Sequence, residues 1–399
     1  MKPSYRKALD RLRENGRLRQ LHLLDGREGS RVNYQGSRLL NLTSNDYLGL
    51  AADRRLLERF YAGIDSGSLI DRFGLGVASS RLLSGDCTVA HELEQTLAAT
   101  YGRPAALLYN SGYHANIGIL PALTDKGDLI LSDKLNHASI HDGLRLSQAE
   151  HRRYRHGDYD HLEGLLEQLR SDYERVIVVS ESVFSMDGDV ADLRRLVEIK
   201  NRFDCLLYVD EAHAVGLYGE KGLGQAEEQG VLNEVDLLIG TFGKALASVG
   251  AFVLCSGDIR EYLVNRSRSL IFTTALPPVV ISWNHFVFRH MLGLGRQRLH
   301  LQGLAGRLRS ELVRVGLSTA GSTNIVPVLI GQDAPTVRLA EAMRKGGWLI
   351  FPVRPPTVPE GTARLRLSLT ADMLWQEELA PLAAAIAAEL GGLQEPSGR

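Results

Sequence analysis

Apolar positions along the chain follow two rhythms. From about residue 90 to 256, short β-rich runs ("AALLYN", "DLILSD", "RVIVVSES", "CLLYVDEAH", "DLLIGT" and "GAFVLCS") alternate with helical or loop stretches. That alternation predicts an α/β unit with a largely parallel sheet covered by helices. Residues 4–24 read as an amphipathic helix, followed by a polar, extended piece reaching "LLNLTSNDYLGL". After "FTTALPP", whose paired prolines punctuate the chain, a long helical region is expected over about 279–316. "TNIVPVLIG", a helix near 335–346, "WLIFPV", "ARLRLSLT" and a last helix near 374–391 predict a smaller α+β domain. The expected organisation is an N-terminal arm over 1–50, a large domain over 51–282, a C-terminal domain over 283–391 and a frayed tail over 392–399.

Composition narrows the class. The 399 residues are 44% hydrophobic and 23% charged, enough for a sizeable core. Lys plus Arg number 46 against 47 for Asp plus Glu, a balance that sets up no field for nucleic acid or an anionic membrane. The three cysteines, Cys87, Cys205 and Cys255, are far apart and read as reduced thiols, the last two as small buried hydrophobes. The charged opening has no apolar core of signal-peptide type and no run approaches a membrane span, so the cytoplasm is the expected compartment.

Candidate chemistry gathers where ligands of open α/β sheets bind, beyond the carboxyl ends of strands. "CLLYVDEAH" runs into Asp210 with Glu211 and His213 behind it, "VVSESVFSMDGD" into Ser185 and Asp187, and "LLIGTFGK" into Thr241 and Lys244. Singly, Asp210 can be a helix cap, Ser185 and Asp187 a turn pair, and Lys244 an exposed loop charge. Jointly they suggest an acid, hydroxyls and an amine in one place. An unpaired ammonium is costly to bury, so Lys244 in its apolar stretch, after Gly243, either reaches water or serves as an amine. A lysine amine can form a Schiff base with an aldehyde cofactor, and pyridoxal phosphate is the one whose ring nitrogen wants a carboxylate. Ser111, Gly112 and Tyr113 of "YNSGYHANIG" lie between a strand and an expected helix, where an anion is favoured. His137 and His141 are four apart, but no third ligand completes a metal pattern, and a single imidazole stacking on a flat ring is the better functional reading of His137. "GLGVAS" and "GEKGLGQ" follow no clear strand with dinucleotide-loop spacing.

With these residues assembled, the chain resembles the α-oxoamine synthases, pyridoxal-phosphate enzymes of fold type I. The likeness runs in order from "SNDYLGL" through "SGYHANIG", "NHASI", "VFSMDGD", "VDEAHAVGLYGEKGLG", "GTFGKA" and "FTTALPP" to "RPPTVPEGTARLRLSLT". The resemblance implies Lys244 as the Schiff-base lysine, Asp210 as the ring-nitrogen partner and His137 as the stacking residue. It implies Ser185 and His213 at the phenolic oxygen, with Ser111, Gly112, Tyr113 and Thr241 around the phosphate. Thr274, with Thr273, would reach the phosphate of the other subunit of a homodimer. Arg366 would hold the amino-acid carboxylate, and Asn45 and Arg19 would line the substrate pocket. Family members join glycine, alanine or serine to acyl thioesters. "RPPTVPEGTARLRLSLTA" is most similar to those that condense L-alanine with pimeloyl-CoA or a pimeloyl carrier protein. "GLGVASSRLLSG" replaces a glycine-richer stretch at Val77 and Ala78, and Asp372 stands where a histidine is usual.

Overall fold

A computed structural model describes residues 4–15 and 17–394; the last five residues of the expected tail, 395–399, lie outside the described residues. The chain forms two compact units. One comprises Asp53–Phe184 and Val190–Arg298. The other is built from the chain before residue 53, the short segment Ser185–Asp189, and the chain from Leu299 onward. A division expected near residue 282 falls after Arg298, and the arm groups with the C-terminal part.

In the larger unit a seven-stranded sheet has the spatial order Ala105–Tyr109, Ala251–Cys255, Leu237–Thr241, Leu206–Asp210, Val176–Glu181, Leu129–Asp133, Glu150–Tyr154. Ala251–Cys255 runs against both neighbours and the remaining pairs are parallel. Parallel strands in register place Tyr109, Asp133, Glu181, Asp210 and Thr241 at one edge, so the loops that follow open on the same side. Strands buried along their whole length, such as Val176–Glu181 and Leu237–Thr241, read as continuous apolar runs because both sheet faces are covered. On one face Leu107, Ile177, Val179, Ile239 and Val253 pack with Ile119, Leu120 and Ile140 of the helices Gly112–Leu123 and Ala138–Leu146. With Tyr109, Leu237 and Ala251 of the same cluster, the strand residues fall two apart, the side-chain period of a pleat. Apolar patterning missed Glu150–Tyr154, "EHRRY", because it is an edge strand with four of five residues exposed.

The other unit holds a four-stranded sheet, in order Asp25–Glu28, Arg31–Tyr34, Ser37–Asn41 and Trp348–Leu349, and a three-stranded one of Ile325–Gly331, Ala363–Ser368 and Pro352–Val353. The helix expected over 4–24 occupies only Tyr5–Glu14, capped by Asn15. Beyond it Arg17 bonds Glu360 at 2.7 and 2.9 Å. The region expected to be helical over 279–316 is two helices, Pro278–Met291 and Gly295–Arg314. The last helix, Leu382–Gln394, runs into the expected tail.

Cys205 and Cys255 are buried, and burial pushes their thiols to about 11 and about 12, which makes them inert packing groups. Ala78 adopts φ +51°, the left-handed region that favours glycine, so the Val77–Ala78 departure keeps a glycine-type backbone at a cost of roughly 1 kcal/mol. Among the described residues no helix is long and apolar enough to cross a membrane.

Candidate active site

The sheet edge gathers the amine, the acid and the imidazole. Asp210 is 5% exposed. Its Oδ2 accepts from Asn116 Nδ2 and its Oδ1 from the Ala212 backbone N–H, both at 2.9 Å. Asn116 also donates to Ser139 Oγ at 2.9 Å and accepts from the Tyr208 hydroxyl. Ser139 closes the chain of bonds: its hydroxyl lies 2.7 Å from His137 Nδ1, and its backbone N–H donates to that nitrogen at 3.2 Å. An N–H can only donate, so Nδ1 carries the lone pair and the ring proton sits on Nε2. Asp210 and His137 are therefore tied through Asn116 and Ser139. Asn116 lies inside "SGYHANIG", Ser139 inside "NHASI" and Tyr208 inside "CLLYVDEAH", yet none of the three is in the expected site.

His137 keeps exposed surface, and the protein packed around it lowers its pKa. Desolvation is the main cause, Asp210 opposes it and Lys244 adds to it. The same field places the Lys244 ammonium within electrostatic reach of His137 and of the buried Glu181. His141 has its pKa lowered by burial and by Arg153 and Arg145. Among the described residues no group of three His, Cys, Asp or Glu could hold a metal ion.

Lys244 is half-buried on a loop closed by hydrogen bonds to one carbonyl. Gly250 O accepts from Thr241 Oγ1 at 2.9 Å and from the Phe242 N–H at 3.0 Å. Gly250 has φ +116°, and a side chain there would crowd Leu276 and Asn284 at about 3 Å, so this glycine is required. Phe242, Ala245 and Leu246 are buried and anchor the loop, leaving the lysine to project. An added Cβ at Gly243 would meet only Thr241 Oγ1 at 3.4 Å and Ser248 O at 3.8 Å, so no protein atom demands glycine there. Thr241 spends its proton on Gly250 and accepts from the Gly243 N–H at 3.1 Å, which makes it the brace of the lysine turn.

Ser111 caps the helix Gly112–Leu123, accepting from the His114 N–H. The first helical N–H groups, of Gly112 and Tyr113, have no intrahelical acceptor, and the helix dipole there favours an anion. A Cβ on Gly112 would lie 4.0 Å from the Thr241 Cβ, so the helix start and the lysine loop face each other across a cradle that side chains leave open. Tyr113 is exposed and donates to Asp142 Oδ2 at 2.8 Å. Thr273 and Thr274 flank the cradle through Asn110, whose Nδ2 donates to Thr273 Oγ1 at 3.2 Å and to Thr274 O at 2.8 Å. His213 is buried in the turn after Asp210. A buried acid held by amide donors, an accessible imidazole, an amine and an open helix N-terminus are the donor set that pyridoxal phosphate requires.

Glu211, next to Asp210, is fully buried and accepts from Ser182 Oγ, the Gln225 N–H at 3.0 Å and the Ala226 N–H at 2.7 Å. Burial still pushes its carboxyl up to about 7. A raised carboxyl pKa means that the folded state favours the protonated form. The stability it contributes is full below about 4.5 and is lost as pH rises through about 7. In chemical unfolding followed from pH 4 to pH 8, Glu211→Gln is expected to remove up to about 3 kcal/mol of that loss. Asp46, raised to about 6 by burial, contributes the same sign in both proteins and cancels in the difference. Parallel curves for the two proteins would contradict the assignment.

In the other unit Arg366 is held on three sides. Its Nε donates to Ser185 O at 2.6 Å and its Nη2 to Asn45 Oδ1 and the Tyr47 hydroxyl, both at 3.2 Å. Tyr47, buried and unforeseen, donates to Asn45 Oδ1 at 3.1 Å. Nη1 has no hydrogen-bond partner among the described residues and can meet a carboxylate. Ser185 packs in this unit, where its carbonyl is in use. Arg364, two residues earlier on the strand, pairs with Asp187. Arg19 donates to Thr357 Oγ1 at 2.9 Å and lines a cavity of about 340 Å³ with His22, Met186, Phe351 and Arg354.

Comparison with known proteins gives these features a family. A model of the family described as aminotransferase class I and II matches residues 37–386. An 8-amino-7-oxononanoate synthase of Chlorobaculum parvum is 56% identical over 364 residues, 91% of this chain and 93% of that protein. Among solved structures, SPT with PLP as an internal aldimine has a TM-score of 0.89 at 28% identity, covering 98% of this chain and 97% of that one. An 8-amino-7-oxononanoate synthase from Francisella tularensis has a TM-score of 0.74 at 27% identity, covering 89% and 98%. The chain belongs to the aminotransferase class I and II family and, in it, to the α-oxoamine synthases, acyl-transferring enzymes of fold type I that depend on pyridoxal phosphate.

Proposed function

We propose that the chain is an 8-amino-7-oxononanoate synthase, which condenses L-alanine with pimeloyl-CoA or a pimeloyl carrier protein. The products are 8-amino-7-oxononanoate, carbon dioxide and the free carrier thiol. The observation that carries this reading is the 56% identity, over nine-tenths of the chain, with a relative of that name. SPT offers a second reading, since it superposes with the higher TM-score. It shares only 28% identity, and side chains rather than backbone choose between alanine and serine.

When bound, pyridoxal phosphate supplies an aldehyde that an amine can capture and a protonated ring that withdraws electrons from the amino acid's Cα. Lys244 Nζ would be the anchoring amine; as a free amine it would take the Cα proton of alanine and later return a proton to Cα. Asp210 keeps the ring nitrogen protonated, its oxygens fixed by Asn116 and the Ala212 amide. His137 would stack on the ring, and Ser185 and His213 would bond the phenolic oxygen. Ser111, Gly112 and Tyr113 would hold the phosphate, and Thr241 would join them by turning its hydroxyl away from Gly250 O. Thr274, with Thr273, reaches the phosphate bound by a partner subunit, so the working form is a homodimer. Arg366 grips the alanine carboxylate, while Asn45 and Arg19 line the substrate pocket. In the net reaction Cα bonds to the acyl carbonyl carbon, the C–S bond breaks and the thiolate leaves. The alanine carboxylate departs as carbon dioxide, and its electron pair stays at Cα to receive a proton.

Arg366→Ala is expected to raise the KM for alanine roughly 10- to 100-fold, the worth of a charge-assisted hydrogen bond, with a smaller change in kcat. An unaltered alanine dependence would refute the clamp. Titrating the cofactor-loaded protein with L-alanine, glycine and L-serine by visible absorption tests the substrate. The reading expects the strongest response with alanine and product on adding pimeloyl-CoA; preference for serine with a long acyl thioester would move the assignment to the second reading.

A further inference from the structure

One edge of the seven-stranded sheet is closed by side chains. Ala105–Tyr109 is the outermost strand there and pairs with Ala251–Cys255. On its far edge the Leu108 N–H donates to Glu94 Oε1 at 2.9 Å, and Ala106 O accepts from Arg260 Nε at 3.1 Å. Arg260 Nη2 in turn donates to Glu94 Oε2 at 3.2 Å, so the two side chains take the place of a neighbouring strand. Glu94, 4% exposed on the helix Thr88–Tyr101, also binds Arg81, whose Nη1 donates to Oε1 and whose Nη2 lies 3.4 Å from Oε2. Arg81 Nε donates to Asp86 Oδ1 at 2.7 Å. Two residues before Arg81, Ser79 O accepts the Ala275 N–H at 3.0 Å. A Cβ on Gly85 would lie 2.3 Å from Ser79 O, so this turn closes tightly on that carbonyl. Arg81, Leu108, Asn110, Thr273 and Ala275 share the wall of a cavity of about 20 Å³, room for a single water.

Glu94 therefore reaches Thr273 and Thr274 by two routes. Along the strand it holds Leu108, two residues before Asn110, whose Nδ2 donates to Thr273 Oγ1 and Thr274 O. Through Arg81 it holds the turn whose Ser79 O grips Ala275, the residue after Thr274. Asn110 itself leads into Ser111, where the cradle begins. We propose that Arg81 and Glu94 are positioning residues of the phosphate cradle, acting through Asn110 on one side and Ala275 on the other. The proposal rests on the reading of Ser111, Gly112, Tyr113, Thr273 and Thr274 as the surroundings of the cofactor phosphate. A buried ion pair adds little stability beyond what apolar packing would give. What this one adds is direction, because a guanidinium fork meets a carboxylate in a fixed plane.

The test loads the full-length protein with pyridoxal phosphate or with pyridoxal, which lacks the phosphate, and follows the loss of each on dialysis by visible absorption. The phosphorus NMR resonance of the bound phosphate is the second readout. Arg81→Met leaves neither carboxylate alone, since Glu94 keeps Arg260 and Asp86 keeps His91. It is expected to shift the phosphorus resonance and to lose pyridoxal phosphate roughly 10-fold faster, while losing pyridoxal within about 2-fold of the wild-type rate. Glu94→Gln keeps an acceptor for the Leu108 N–H but turns an amino group toward a guanidinium, and is expected to move the same way by about 3-fold. If Arg81→Met does not fold by circular dichroism, Glu94→Gln decides. Equal acceleration for both ligands would mark a role in the fold at large, and loss of pyridoxal phosphate at the wild-type rate would mark no role; either result overturns the proposal while leaving the cradle in place. A wild type that holds pyridoxal as firmly as pyridoxal phosphate would remove the cradle reading itself, and the proposal with it.

Discussion

Lys244→Ala is expected to lower turnover by at least ~10³-fold while leaving the fold intact. The general-base share alone is worth about 10²–10⁴, and the same substitution removes the amine that anchors the cofactor. Folding is spared because the loop does not depend on the lysine: Phe242, Ala245 and Leu246 are its buried anchors, and Gly250 O with Thr241 Oγ1 closes it. Steady-state assay beside a thermal melt checks both halves. Condensation within 10-fold of the wild type would remove Lys244 from the mechanism.

Asp210→Asn is expected to lower kcat roughly 10²- to 10³-fold, the loss seen when one preorganised electrostatic partner is removed. Oδ1 of the new amide can still accept the Ala212 N–H. Its NH2, however, faces the Asn116 NH2, and a flip of Asn116 would turn its amino group toward the Tyr208 hydroxyl that now donates to it. The substitution thus removes charge and also disturbs the chain of bonds to Ser139 and His137. Cofactor is retained more weakly, because the amine and the phosphate cradle remain. Unchanged kcat with normal cofactor content would exclude Asp210 as the ring-nitrogen partner.

Much of the sheet is legible in the sequence because its strands are covered on both faces. "VIVVSE" and "LLIGT" are buried throughout, so their apolar content alone marks them. The polar edge strand "EHRRY" is illegible for the opposite reason: its place comes from backbone pairing with Leu129–Asp133. Lys244, Asp210 and His137 are legible as strand-end chemistry, and the network behind them is not. Asn116 sits on a helix that reads as apolar, and its meaning appears only when helix and strand bring it 2.9 Å from Asp210. Glu181 and Glu211 likewise look like ordinary charges until the fold buries them. Gly243 is the reverse case, a glycine whose freedom no neighbouring protein atom requires.

The account turns on one covalent attachment. Reducing the cofactor-loaded protein with borohydride and mapping the labelled peptide by mass spectrometry tests it directly. The predicted result is a single pyridoxyl-phosphate increment on Lys244; label on another lysine, or none on a protein that retains the cofactor, would contradict it.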